Sequence, residues 1–233
     1  EGGEGRGYAS EMLEIRGELD RQLRAFLQGI KVRPDFTGEL KGLPSHLSEL
    51  PNLLFHTRNG PLLGRFFEKD EKSLLLRENF LNVGCDDALS ILRPTIRSFD
   101  STGAFEYLPP STLALQPTRV LLVDHGTTLI LWIGSSVAGP VHETLRRTCL
   151  DEAFRIALSR CPIPTVLQIT EGSVEEKNLV HCLNPGHRDS REEQITDFPT
   201  IHDADREAVC SRLRGFAIVD YSMREYFRSI FRS

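Results

Sequence analysis

The sequence changes character at residues 119–133, which read RVLLVDHGTTLILWI. Apolar residues fill 120–123 and again 129–133, within candidate strands at 119–124 and 128–133, and His125-Gly126-Thr127 stands between the two strands. Short apolar runs joined by a tight glycine-containing turn are typical of a β-hairpin. The stretch therefore predicts two paired strands, and it separates a helix-rich first half of the chain from a mixed second half.

The segments after this hairpin alternate between helical and strand-like patterns. We expect a helix at 141–160, a strand at 165–170 and a short helix that begins after Ser173. The sequence SVEE has the form of a capping box, in which Ser173 caps the helix and Glu176 reaches back to it. Strand, strand, helix, strand and helix in this order predict an α/β layer.

Before residue 100, apolar residues recur at three- and four-residue steps, which predicts helices. These helices are expected at 11–28, 52–68, 70–82 and 85–96, with a break at Gly60-Pro61 and a stop at Pro94. The predicted fold class is α+β. An all-helical domain at 8–105 would be followed by a mixed-sheet domain at 106–233, flanked by helices.

The end of the chain predicts two more helices, at 203–214 and 221–231, after a polar loop at 186–202. The last helix has a dense apolar stripe formed by Met223, Tyr226, Phe227, Ile230 and Phe231. We expect this stripe to dock onto the sheet of the second domain. The alternative is an exposed groove for a partner, since large exposed apolar patches usually mark interaction sites.

The composition excludes several classes of function. The 233 residues are 39% hydrophobic and 26% charged, an ordinary globular balance, and the net charge of −5 gives no general attraction to nucleic acid. No run approaches the roughly 20 apolar residues that span a bilayer, and residues 1–7 lack the apolar centre of a signal peptide.

Five cysteines without a C-x-x-C spacing predict free thiols in a reducing compartment. Because the sequence lacks an initiator Met, we expect a fragment of a longer protein.

Several segments resemble a known family. They are 53–58 (LLFHTR), 77–80 (RENF), 90–96 (SILRPTI), the hairpin, 159–164 (SRCPIP), and the run from Glu171-Gly172-Ser173 to Asn184-Pro185. In this order and spacing the first three resemble the helical domain of the COPII inner-coat subunits, and the others resemble their gelsolin-like domain. The resemblance is closer to the GTPase-activating subunit than to the cargo adaptor, although 185–199 look more like the adaptor.

This resemblance implies a component of a COPII-type vesicle coat in transport from the endoplasmic reticulum to the Golgi. The implied location is cytoplasmic, on the membrane of the endoplasmic reticulum only through the coat. The implied partners are a Sar-type small GTPase, the cargo-adaptor subunit and proline-rich segments of the outer coat. No cofactor is implied.

The resemblance also implies one catalytic position. In the GTPase-activating subunit, an arginine after the Gly-Ser turn stabilises charge on the transferring phosphoryl group of the GTPase. Counting from Glu171-Gly172-Ser173 and back from Asn184-Pro185 places this position at Lys177. A lysine keeps the charge but lacks the planar fork of arginine, and Glu175 and Glu176 add negative charge beside it. We therefore expect weak or no activation, with the two acids on a solvated helix face.

Aromatic residues are the candidates for the proline-rich partner, because such segments dock as extended helices against aromatic surfaces. The candidates with a polar edge are Tyr107, Trp132, Tyr221 and Tyr226. The sequence does not choose among them.

Other groupings of reactive residues favour structural roles. His181, Cys182 and His187 lack a second cysteine at zinc spacing, so we predict no metal site. Asp86-Asp87 predicts a helix cap, and Asp124-His125 predicts a structural turn. Two alternatives stay open: an active GTPase activator that uses Lys177 or a displaced arginine such as Arg188, and a gelsolin-like actin- or calcium-binding module outside any coat.

Overall fold

The computed structural model describes residues 4–35, 37–60, 62–63, 70–100, 102–216 and 221–232. The first part of the chain is mainly helical, as predicted. Its elements are α1 (Glu4–Gly29), β1 (Arg33–Pro34) paired with β2 (Leu40–Lys41), a 3-10 helix (Ser45–Leu47), α2 (Leu50–Asn59), α3 (Asp70–Asn82) and α4 (Cys85–Leu92). None of the described helices combines the length and apolar character needed to cross a membrane.

The predicted segment at 52–68 is described only in part. Helix α2 ends at Asn59, and Gly60 forms its C-cap, consistent with the predicted break. Leu62 is buried beside Leu76 and Ile91. Residue 61 of the predicted break and residues 64–68 of the predicted helix lie outside the described residues.

A five-stranded mixed sheet follows, in the order β4-β3-β5-β6-β7. The strands are β3 (Thr95–Phe99), β4 (Phe105–Leu108), β5 (Val120–Asp124), β6 (Thr128–Ile133) and β7 (Thr165–Thr170). The hairpin prediction is confirmed, because β5 pairs antiparallel with β6, with Leu122 opposite Leu131. The long helix α5 (Pro140–Leu158) connects β6 to β7, which pair in parallel.

The sheet begins earlier than the sequence predicts. Pro94 ends α4 as expected, but β3 starts at once, where the end of a helix and then a loop were predicted. Strand β4 forms one edge of the sheet and is mostly exposed, so its apolar residues show no clear alternation. It is held by pairing with β3, a contact that a local sequence pattern does not reveal.

The remaining helices are α6 (Glu176–Cys182), α7 (Arg191–Asp197), α8 (Asp203–Leu213) and α9 (Met223–Arg232), with a 3-10 helix at Gly186–Arg188. The prediction of a loop at 186–202 is wrong at Arg191–Asp197, where the chain forms helix α7. Ser190 accepts a hydrogen bond from the backbone of Glu193, and the Glu193 side chain accepts one from Ser190, which completes a capping box. The sequence SREE carries this signal.

Each face of the sheet has its own core. On one face Trp132 and Ile169 pack with Leu179, Val209 and Leu213 from α6 and α8. On the other face Leu122, Leu129 and Leu131 of β5 and β6 pack against α5. The helix contributes Leu145, Cys149, Ala153 and Ile156 to this core. The sheet is therefore covered by helices on both sides, in the layered arrangement predicted.

Helix α9 does not dock onto the sheet as predicted. Its buried residues Tyr226 and Phe227 pack with Leu23 and Leu27 of α1 and with Phe55 of α2. The Tyr226 hydroxyl also donates to Asp20 of α1, at 2.8 Å. The division of the chain at 105/106 stays a prediction, since β3 belongs to the sheet and α9 contacts the first helices.

One arginine ties the helical part to the sheet. The Arg160 guanidinium donates to both carboxylate oxygens of Asp124, at 2.7 and 2.9 Å, and its Nε lies 2.9 Å from Asp87 of α4. Asp124 thus has the structural role predicted for it. The prediction of a cap at Asp86-Asp87 is wrong, because Gly84 is the N-cap and no side chain bonds there; the two acids lie in the first turn instead.

Candidate functional site

Lys177 lies in the first turn of α6, a seven-residue helix that follows β7 through a turn at Gly172. Gly172 has a φ of +79°, a conformation that glycine adopts at little cost. The Lys177 side chain is exposed, and it forms no hydrogen bond or ion pair with any residue that the structure describes. An approaching partner can therefore reach its ammonium group.

Glu176, the residue before Lys177, points into the protein and is fully buried. Its Oε1 accepts a hydrogen bond from the Trp132 indole, at 3.1 Å, and its Oε2 accepts one from the Gly172 backbone, at 2.8 Å. A buried indole N–H needs an acceptor, and Glu176 supplies it. The start of α6 is thus fastened to the centre of the sheet.

Two predictions about this turn are wrong as a result. Ser173 does not cap α6, because the N-cap is Glu175 and no side chain bonds there. Glu176 does not lie on a solvated face with its neighbour. Of the two glutamates, only Glu175 is exposed beside Lys177, so less negative charge surrounds the lysine than the sequence predicted.

Arg212 of α8 completes the support under α6. It forms an ion pair with Glu171, donates to the Leu115 carbonyl at 3.0 Å and lies 3.5 Å from the Glu176 carboxylate. Burial lowers the pKa of Arg212 to about 10, so the group stays charged at neutral pH. Its guanidinium also lies over the Trp132 ring, 5.8 Å from the centroid.

Sequence reasoning missed this network of Trp132, Glu171, Glu176 and Arg212. Its members are dispersed over 81 positions, from 132 to 212, and no local pattern joins them. The available signal was the single tryptophan of the chain, placed within an apolar run predicted to be a strand. Such a tryptophan requires a hydrogen-bond acceptor from elsewhere in the fold.

Arg188, the displaced arginine considered as an alternative to Lys177, lies in the 3-10 helix after α6. Its Nε is 3.3 Å from a carboxylate oxygen of Glu225 at the start of α9. The structure does not bring Arg188 into the first turn of α6, where Lys177 lies.

The four aromatic candidates for a proline-rich partner divide into two pairs. Trp132 and Tyr226 are 0% and 1% exposed, so neither presents a ring at the surface. Tyr107 and Tyr221 are 64% and 47% exposed. Tyr107 also lines a cavity of about 390 Å³ between β4 and the helices α2 and α4, together with apolar residues that include Leu53, Leu89, Pro94 and Pro110.

The histidines and cysteines near α6 form no reactive centre. Cys182 is buried, and burial raises the pKa of its thiol. A thiol with a raised pKa is a poor nucleophile, because the thiolate is the reactive form. His187 bonds to Thr112 instead, at 3.0 Å between Nδ1 and Oγ1. Across the described residues, no cluster of His, Cys, Asp and Glu could hold a metal ion.

Comparison with known proteins identifies relatives that match most of the chain. The protein transport protein SEC23 A of Arabidopsis thaliana is 32% identical over 225 residues, which cover 94% of this chain and 25% of that protein. The protein transport protein SEC23 of Encephalitozoon cuniculi is 21% identical over 179 residues, 72% of this chain and 25% of the relative. The chain thus spans about a quarter of these relatives. No protein-family model matches it.

A solved structure shares the fold. The human COPII-coat protein Sec24c superposes with a TM-score of 0.61 at 13% identity, over 94% of this chain and 29% of that structure. The sequence relatives carry the Sec23 name and the structural neighbour the Sec24 name, and SEC23 A and Sec24c each match 94% of this chain. The chain belongs to the Sec23/Sec24 family of COPII inner-coat subunits.

Proposed function

We propose that this chain acts in protein transport as part of a COPII coat subunit, through protein–protein contacts rather than through catalysis of its own. Membership of the Sec23/Sec24 family supports the coat role, since the relatives are named as protein transport proteins and the structural neighbour as a coat protein. The work would take place on the cytoplasmic face of the endoplasmic reticulum, with a cargo adaptor and the outer coat as partners.

A Sar-type small GTPase is the proposed partner of the surface around Lys177. The observation that carries this proposal is the exposed ammonium of Lys177, which has no partner among the described residues, at the position where the resemblance places an arginine. The buried bonds of Glu176 hold this turn in place, so the lysine is presented by a fixed support.

A lysine in this position makes weak activation the expected result. Its ammonium is a single point charge, whereas the arginine fork contacts two phosphate oxygens at once. An arginine finger raises turnover by about 10³–10⁵. The surface therefore serves to bind the GTPase, and any acceleration of its reaction is small.

The test uses a chimera in which this chain replaces the corresponding quarter of Arabidopsis SEC23 A. Binding to a Sar-type GTPase loaded with a non-hydrolysable GTP analogue, and GTP hydrolysis in its presence, are measured for the unaltered chimera, Lys177→Ala and Lys177→Arg. We expect binding in all three, little acceleration by the first two and faster hydrolysis with Lys177→Arg.

Two outcomes would contradict this function. Strong acceleration by the unaltered chimera that Lys177→Ala abolishes would make the protein a working activator. Loss of binding to both the GTPase and the cargo adaptor, in a chimera with native circular dichroism, would argue against the coat role itself.

Proline-rich segments of the outer coat are proposed to dock at Tyr107, with Tyr221 as a second exposed candidate. Tyr107 offers an exposed ring beside an apolar cavity bordered by Pro94 and Pro110. Extended proline-rich helices bind such aromatic-lined grooves at a low entropic cost, because they are already ordered.

A further inference from the structure

A cavity of about 800 Å³ opens beside α8, apart from Lys177 and Tyr107. Its wall combines four arginines, four acids and a few apolar residues; the arginines are Arg188, Arg191, Arg206 and Arg214. We propose that this cavity binds a segment of a partner protein that presents one carboxylate side chain next to an apolar side chain. The proposal does not depend on the function of Lys177.

Arg206 provides the main argument for a carboxylate. The residue is 5% exposed, and its Nη2 donates to the carbonyls of Phe198 and Ile201, at 3.4 and 3.1 Å. Its Nε and Nη1 are buried without a hydrogen-bond partner. The Asp203 carboxylate lies 3.7 Å from Nε, beyond hydrogen-bonding distance, and is 66% exposed.

A buried guanidinium with unused donors is unfavourable on its own. Arginine stays protonated in proteins, so it cannot relieve its burial by losing the proton. A buried charge is stable only when it is paired and hydrogen-bonded. A carboxylate entering the cavity would supply the acceptors that Nε and Nη1 lack, after a small shift of the Arg206 side chain, because Asp203 lies too far away to accept a hydrogen bond.

The other charges of the cavity favour a single carboxylate over a dense anion. Arg188 is paired with Glu225 and Arg191 with Asp203, the latter at 2.7 Å, so neither is a new attraction for a ligand. Asp189 and Glu207, which also line the cavity, would repel a phosphate carrying two negative charges. One carboxylate meets less repulsion, and acids around a site help to exclude the wrong ligand.

The apolar part of the wall indicates a peptide rather than a free ion. Cys210, Leu213 and Phe216 line the cavity beside Arg206. Leu213 is fully buried and belongs to the core on the sheet, so this side of the cavity is fixed. Phe216 is partly exposed and offers the apolar surface that an apolar side chain next to the carboxylate would cover, and about 800 Å³ accommodates several residues.

The experiment uses two peptides with blocked ends, Gly-Glu-Leu-Phe-Gly and its twin with Gln in place of Glu. Each is titrated into the 233-residue chain, and backbone and arginine Nε–H signals are followed by NMR. We expect saturable shifts at Arg206 and around α8 with the Glu peptide, and at least about tenfold weaker binding of the twin, as for loss of a charge-assisted hydrogen bond.

Variants distinguish binding from a structural role. Arg206→Gln should abolish the preference for Glu over Gln, whereas Arg155→Gln, an exposed arginine on α5, should not change it. If Arg206→Gln fails to fold, the shift of the Arg206 Nε–H signal in the unaltered chain decides the question.

Equal binding of the two peptides, or shifts confined to other surfaces, would overturn the proposal. So would inorganic phosphate that saturates the same signals better than the Glu peptide, since the cavity would then bind an adventitious ion only.

Discussion

Glu176 shows how one carboxylate can hold a functional turn in place. It accepts from the Trp132 indole and from the Gly172 backbone, and it lies against the Arg212 guanidinium. The bond to the indole is made out of reach of water, since Glu176 and Trp132 are fully buried. Lys177 next to it is therefore presented to solvent by a residue that contributes nothing to the surface itself.

Replacement of Glu176 by Ala should be destabilising. It leaves the buried Trp132 indole N–H without its acceptor, which costs about 1–3 kcal/mol. Arg212 keeps its ion pair with Glu171 and loses only the second carboxylate beside it. The free energy of unfolding in urea, followed by Trp132 fluorescence and by circular dichroism, measures the loss. Glu175→Ala is the matched control at an exposed position and should change stability by less than about 0.5 kcal/mol. Equal effects of the two variants would contradict the support assigned to Glu176.

At the scale of elements, α9 depends on contacts far away in the chain. Its start is fixed by Asn184, whose side chain accepts from the Met223 backbone at 2.8 Å, and by Ser222, which accepts from Glu225 at 3.1 Å. Its apolar stripe then covers α1 and α2. The last helix thus closes the first part of the structure and leaves the sheet to α5, α6 and α8.

Replacement of Phe227 by Ala tests this placement. Phe227 is 3% exposed and packs against the Tyr226 ring, with the ring centroids 5.2 Å apart, so its loss should cost about 3–5 kcal/mol. Hydrogen exchange should accelerate most in α1, α2 and α9, because they share one core, and least in β5 and β6. Acceleration centred on the sheet would show that α9 docks there after all. Phe154→Ala, at a residue 51% exposed on α5, should leave exchange nearly unchanged.

At the scale of the whole molecule, the helical part and the sheet meet at buried polar groups. Arg160 joins α4 to the β5–β6 turn, and His56 of α2 is buried near Arg93 and His125. Burial, with a smaller effect of the Arg93 and His125 charges, lowers the pKa of His56 to about 3. The same cause lowers the pKa of His125 to about 4. Both imidazoles are therefore neutral in the folded protein at pH 7.

These histidines predict that acid weakens the fold. The unfolded chain binds a proton at His56 near pH 6.5 and the folded chain only near pH 3, so stability is complete above pH 6.5 and falls as the pH is lowered. At pH 5 the loss from His56 alone is about 2 kcal/mol. In His56→Phe, the decrease in the free energy of unfolding between pH 7 and pH 5 should be smaller by about this amount.

Urea unfolding at the two pH values measures this difference within each variant, which separates it from any packing effect of the substitution. His46→Gln, at an exposed histidine, should keep the pH dependence of the unaltered chain. An unchanged pH dependence in His56→Phe would contradict the buried neutral state. Asp189 acts in the opposite direction, because burial raises the pKa of its carboxyl to about 6. It remains in every variant compared.

Local sequence patterns determined most of the elements of this protein. The hairpin at 119–133, the strand Thr165–Thr170 and the helices α5, α8 and α9 were predicted close to their observed bounds, because apolar periodicity and turn residues act within a few positions. The order of quoted segments also indicated the family. The resemblance assigned the position of the catalytic arginine to Lys177, and this residue is exposed in the structure. Its role in binding a GTPase stays a prediction.

Only the tertiary structure decided where the apolar faces and buried polar groups go. Periodicity shows that α9 has an apolar stripe but does not show which surface it covers, and here that surface is α1 and α2. Strand β4 exists through its pairing with β3, and Glu176 is buried because a distant tryptophan needs an acceptor. These features depend on contacts between residues far apart in the chain, and the energy of such contacts is absent from any local pattern.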